Sequence, residues 1–132
     1  AVLFDIGPAE HHRSILNFLD TKQRANNDVL YKTNYPSYPW HDTYLPFHLV
    51  GMGDYHNSGP YWTWITALET LAREQVQTTP GDNPDRLDTI IQDHGDIAEI
   101  LNEHREPVRR LFYQSEQRFT WTAGLILAHT TK

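Results

Sequence analysis

The spacing of apolar residues along the chain predicts helices separated by irregular segments. Residues 8–25 carry an apolar stripe at helical spacing, and Pro8 suits the first turn of a helix. The same spacing recurs over residues 60–77 and 116–129, and more briefly over residues 85–95. We therefore expect an all-α fold with about four helices.

The segment between the first two predicted helices has no such periodicity. It contains the run "YPSYPWHDTYLPF", which holds three of the eight prolines of the chain. Because this run is rich in aromatic residues, we expect a long ordered loop rather than a disordered linker. The residues around Glu99 could continue a helix or be extended, and no strand hairpin is predicted. Residues 1–132 are expected to form a single domain.

Composition and charge exclude several classes of partner. The chain has 132 residues, a net charge of −6 and no cluster of basic residues, so we expect neither a nucleic-acid nor a membrane partner. It has no cysteine, which excludes disulfides and thiolate chemistry and fits either the cytosol or the periplasm. No secretory signal pattern opens the sequence, so we expect a cytoplasmic protein.

The stretch "DYHNSGPYWTW" concentrates polar and aromatic groups at a predicted helix start. Tyr55, His56 and Asn57 lie just before that start, where unpaired backbone N–H groups create a slightly positive field. Trp62 and Trp64 follow and could supply a face for stacking. Sugars suit such a site, because their C–H faces stack on aromatic rings while their hydroxyls bind polar groups. The alternative is a loop anchored by buried tryptophans.

Candidate catalytic chemistry is confined to a few residues. Glu99 lies inside the apolar run "GDIAEILN", where desolvation would prepare a carboxylate for proton transfer; the alternative is an exposed glutamate on a helix. The eight histidines are scattered and form no H-E-x-x-H pattern, so no metal site is expected. No Gly-rich phosphate loop or nucleophile elbow is present, and no cofactor is expected.

Three motifs in a fixed order give the chain a family resemblance. They are "DYHNSGPYWTW", the glutamate of "GDIAEILN" with Asn102 three residues on, and "FTWTAG" at the start of the last predicted helix. In this order they resemble the C-terminal part of the six-hairpin glycosidases, the (α/α)6-toroid enzymes. The bacterial glycogen-debranching-like and alkaline/neutral invertase-like group is the most similar.

This resemblance implies hydrolysis of α-glucosides or related sugars by acid and base groups, with inversion at the anomeric carbon. It assigns Glu99 as the catalytic base. It implies a sugar-binding wall that comprises Tyr55, His56, Asn57, Trp62 and Trp121. About two helical hairpins of the toroid fit in this chain, and the resemblance assigns the general acid to a hairpin outside it.

We therefore expect a glycosidase fragment that is inactive alone and associates with itself or with the remainder of a longer chain. Two alternatives stay open, a non-catalytic carbohydrate-binding module and a structural helical module.

Overall fold

The structure is a computed structural model that describes residues 2–49, 57, 59–76 and 83–130. It contains a long first helix, α1 (Ala9–Asn26), and a short α2 (Leu45–Leu49) in the loop that follows. The remaining helices are α3 (Thr63–Gln75), α4 (Asn83–His94) and α5 (Thr120–Thr130). Short 3-10 turns occupy Val2–Phe4 and Trp40–Asp42. The four longer helices confirm the helical part of the sequence prediction.

Two small antiparallel sheets make the fold mostly helical rather than all-α. In the first, β1 (Tyr61–Trp62) pairs with β2 (Ile100–Leu101). In the second, β3 (Arg109–Arg110) and β4 (Tyr113–Gln114) form a hairpin, so the prediction of no strand hairpin is wrong. Each strand has two residues, which is too short for an alternating pattern to be seen, and the hairpin turn lacks the usual Asn-Gly signal.

Within the described residues, the apolar core consists of three clusters, and α3 contributes side chains to two of them. α3 packs against α4, α5 and the N-terminal turn. Each strand of the first sheet contributes one residue to each of two clusters, because neighbouring side chains of a strand point to opposite faces. Tyr61 and Leu101 pack with Leu30, whereas Trp62 and Ile100 pack on the other face.

A buried ionic network joins α1, the loop after it and the end of α3. Arg73 is 5% exposed, and its Nη2 donates to Asp20 Oδ1 at 2.6 Å and to the Tyr31 hydroxyl at 3.0 Å. Its Nε donates to the buried carboxylate of Glu69. The Tyr31 hydroxyl donates to Asp20 in turn, and burial raises its pKa. Removing one partner from such a network would leave the others buried without compensation.

A second buried carboxylate, Asp28, fixes the start of the long loop. Its Oδ1 accepts from the Tyr61 hydroxyl at 3.1 Å and lies 3.0 Å from Lys32 Nζ. Its Oδ2 accepts from the Tyr35 hydroxyl at 3.1 Å. Arg86 of α4 donates to the Asp28 backbone carbonyl at 3.2 Å. The loop is therefore tied to β1 and α4 by hydrogen bonds to one carboxylate and its backbone.

Candidate functional site

The three motif segments meet at the first residue of α3. Thr63 Oγ1 donates to the Ala98 carbonyl at 2.7 Å and lies 2.8 Å from Thr122 Oγ1. The Thr63 backbone N–H donates to the Glu99 carbonyl at 3.2 Å. Thr63 and Thr122 are fully buried, so these bonds are shielded from water. Segments separated by 35 and 59 residues are thus joined through one threonine hydroxyl.

Glu99 lies directly before β2, and its backbone is held from two sides. Its N–H donates to the Glu116 carbonyl at 2.8 Å, and its carbonyl accepts from Thr63. Its side chain is half-buried, and Oε2 accepts a hydrogen bond of 2.5 Å from the Tyr113 hydroxyl. The carboxylate is therefore oriented by a phenol and still reaches the surface of the protein.

Tyr113 is a site residue that the sequence did not indicate. It lies in β4 and packs against the cluster of Trp62, Ile100 and Val108. Its partner Glu99 is 14 residues away, and the hairpin that brings the two together has no sequence signal. An aromatic residue directly after an exposed Leu-Phe turn gives no indication of this contact.

The tryptophans of the site occupy different environments. Trp62 is 6% exposed and lies inside the core cluster, with its ring centroid 6.3 Å from that of Trp64 in an edge-to-face arrangement. Trp121 is 70% exposed and stacks on Phe119, with centroids 6.5 Å apart and the planes inclined at 24°. The assignment of Trp62 and Trp121 to a sugar-binding wall stays a prediction, and only Trp121 presents an open ring face.

An open apolar groove of about 360 Å³ lies between the first halves of α3 and α5. Its lining residues are Trp64, Leu68, Thr120, Trp121, Gly124 and Leu125. Residues three and four apart share one face of a helix, so the sequence spacing accounts for this lining. Thr63 and Thr122, which join the motif segments, are each adjacent in sequence to a groove tryptophan. The groove and the backbone of Glu99 are thus at the same end of the two helices.

Asn57 binds the long loop. Its Nδ2 donates to the Tyr38 carbonyl at 2.9 Å, and its Oδ1 accepts from the Tyr38 N–H at 2.8 Å. This two-point contact uses both ends of the amide to fix the loop backbone. Its predicted role in ligand binding is not tested by these contacts. Tyr55 and His56 lie outside the described residues.

Asn102 fixes the turn that follows β2. Its Oδ1 accepts from the backbone N–H groups of His104 and Glu106, both at 2.9 Å. Its Nδ2 donates to the Glu106 carboxylate at 3.2 Å. Asn102 also lines a polar hollow of about 220 Å³ beside Lys32 and Arg110, at the end of the β1–β2 pair opposite to Glu99. In this structure the last residue of the second motif therefore stabilises a turn.

The described residues contain no group of three or more His, Asp or Glu side chains placed to hold a metal ion. None of the helices within those residues is long and apolar enough to cross a membrane. The cytoplasmic location expected from the sequence stays a prediction. Comparison with protein-family models, curated proteins and solved structures finds no match for this chain.

Proposed function

We propose that this chain forms the base-bearing part of a glycoside hydrolase that acts on α-glucosides or related sugars. The observation that carries this proposal is the junction at Thr63, where the three motif segments of the resemblance are hydrogen-bonded to one another. A site built from three distant segments requires that they converge in the fold, and here they do. In the proposal the helices are about two hairpins of an (α/α)6 toroid.

Glu99 is the proposed general base. Its carboxylate would take a proton from a water molecule as that water attacks the anomeric carbon. A separate acid, supplied from outside this chain, would protonate the leaving oxygen. With water placed between base and sugar, the configuration at the anomeric carbon inverts. The Tyr113 hydroxyl, 2.5 Å from Oε2, would keep the carboxylate pointed at the water.

The groove between α3 and α5 is the proposed binding site for one sugar ring. Its volume of about 360 Å³ is near the low end of the range for small-molecule sites, which is about 300–1,000 Å³. Trp121 and Trp64 offer apolar faces for the C–H groups of a sugar, and the open side leaves its hydroxyls accessible to other partners. The resemblance also implies Tyr55, His56, Asn57 and Trp62 as residues of the sugar-binding wall, and the two of them that the structure describes, Asn57 and Trp62, do not line the groove.

The test uses α-D-glucosyl fluoride, because fluoride leaves without the help of a general acid. The chain should hydrolyse this substrate slowly despite lacking its acid partner, and proton NMR should detect β-glucose first. Glu99→Gln should lower the rate by about 10²–10⁴-fold, the usual contribution of a general base. Glu10→Gln, at an exposed glutamate of α1, is the matched control. Equal rates for the Glu99 variant and the unmodified chain would refute the assignment.

A second candidate is a carbohydrate-binding module without hydrolytic activity. The observation that favours it is the groove itself, which is apolar, aromatic and open without any contribution from Glu99. Such a module would bind maltose equally well before and after Glu99→Gln, and would release no fluoride from glucosyl fluoride.

Self-association, or contact with a further part of the same enzyme, is supported by α5. This helix contains no Asp, Glu, Lys or Arg, and Leu127, which does not line the groove, is 61% exposed. An apolar surface of this kind is usually covered. Sedimentation at micromolar concentration should therefore detect species heavier than one chain.

A further inference from the structure

Gly124 occupies the interior of α5, where glycine is an unfavourable residue. Glycine weakens a helix relative to alanine because its backbone loses more freedom on folding. The backbone of Gly124 is not in the left-handed region, so its conformation does not require glycine. A Cβ added at this position would meet no atom within 4 Å outside its own helix backbone and chain neighbours. Neither conformation nor packing within the described chain accounts for this residue.

The missing side chain opens the groove beside an exposed indole ring. Gly124 is three residues after Trp121, so the two lie on one face of α5, one turn apart. A side chain at position 124 would project into the groove next to that ring. Phe119 stacks on Trp121. The space above Gly124 therefore lies beside an indole that is supported by a second aromatic ring.

We infer that Gly124 makes room for the sugar ring in the proposed sugar site. Its missing side chain lets the C–H face of a glucopyranose ring lie against Trp121. This inference rests on the proposed function and names its ligand, an α-linked glucoside such as maltose. A sugar is the preferred occupant because the groove is next to the Thr63–Thr122 junction, which also holds the Glu99 backbone.

The experiment compares Gly124→Ala and Gly124→Leu with the unmodified chain. Without ligand, Gly124→Ala should raise Tm by about 3–5 °C, because alanine is the better helix former and has room. Maltose binding is followed by tryptophan fluorescence. Its Kd should rise about threefold in Gly124→Ala and at least about tenfold in Gly124→Leu, as the ring is displaced from the indole. Ala25→Leu, at an exposed position of α1, is the control for an added leucine.

Higher Tm together with weaker maltose binding in the Gly124 variants would support the inference. Unchanged maltose affinity in Gly124→Leu would overturn it and leave the proposed hydrolysis intact. Absence of maltose binding by the unmodified chain would also overturn it, while the glucosyl fluoride assay decides the proposed function separately. A dimer of the unmodified chain that dissociates in Gly124→Leu would assign the groove to a second copy, again overturning the inference.

Discussion

The two ends of α3 differ in where their polar and aromatic side chains lie. Near its C-terminal end, Arg73 is buried and hydrogen-bonded to two carboxylates and a tyrosine. Near its N-terminal end, Trp64 lines an open groove and faces a region where Trp121 is largely exposed. Charged groups are buried at one end, whereas at the other a partly buried indole and a largely exposed indole line an open groove.

The difference indicates which end stabilises the fold and which end is prepared for a ligand. Buried charges are retained only when they are paired, so the Arg73 network fixes how α1 and the loop sit on α3. Exposed aromatic surface contributes little to the stability of an isolated chain and is typical of a surface that binds something. Mutations at the closed end should therefore change stability, and mutations at the open end should change binding.

The largest effect is expected from Arg73→Met. Methionine keeps much of the volume but leaves the buried carboxylate of Glu69 and the partly exposed carboxylate of Asp20 without their cation. The free energy of unfolding should fall by about 3–5 kcal/mol, measured by urea denaturation. Arg13→Met, at an exposed position of α1, should change it by less than about 0.5 kcal/mol. Equal effects of the two substitutions would show that the closed end does not depend on its ionic network.

The four longer helices could be predicted from the sequence, whereas the contacts that join them could not. Apolar residues at helical spacing indicate α1, α3, α4 and α5, since a helix that packs on a core buries part of its surface. The Arg73–Asp20 contact joins residues that are 53 positions apart, and no local pattern reports such a pair. The strands have two residues each, which is too short for a pattern, and β1 pairs with a distant segment, β2, so neither sheet could be predicted locally.

The start of α3 shows how far the open end could be predicted. The sequence indicates both Trp62 and Trp64 as possible stacking faces. The chain is still extended at Trp62, which packs in a core cluster. The helix begins at Thr63, so Trp64 and Leu68 fall on the face toward α5. Helix boundaries are the least certain part of a sequence-based assignment, and here the boundary decides which indole lines the groove.

A smaller effect is expected from alkaline pH, and it arises at the buried Asp28, which binds the hydroxyls of Tyr61 and Tyr35. Burial and the nearby charge of Asp28 raise the pKa of Tyr61 from its ordinary value of 10.0 to about 12. Burial also raises the pKa of Tyr35, which shares this carboxylate. Because the folded state favours the neutral phenol, this contribution is complete below pH 10 and is lost as pH rises toward 12.

Each such tyrosine should lower the free energy of unfolding by about 1.4 kcal/mol per pH unit in that window. Urea denaturation at several pH values between about 10 and 12 measures this slope. Tyr61→Phe should reduce this dependence of the unfolding free energy on pH by the contribution of one tyrosine. Tyr38→Phe, at an exposed ring, should leave it unchanged. An identical slope in the Tyr61 variant would argue against a link between this phenol and the buried Asp28.

The smallest effect on stability is expected from Trp121→Ala, at the open end. The ring is 70% exposed and contacts chiefly Phe119, so little apolar surface is returned to water. The free energy of unfolding should change by less than about 0.5 kcal/mol, as for Trp40→Ala at a ring that is 68% exposed. Maltose binding should be lost in the Trp121 variant and kept in the Trp40 variant. A loss of several kcal/mol in stability would instead make Trp121 a part of the core, and the contrast between the two ends of α3 would not hold.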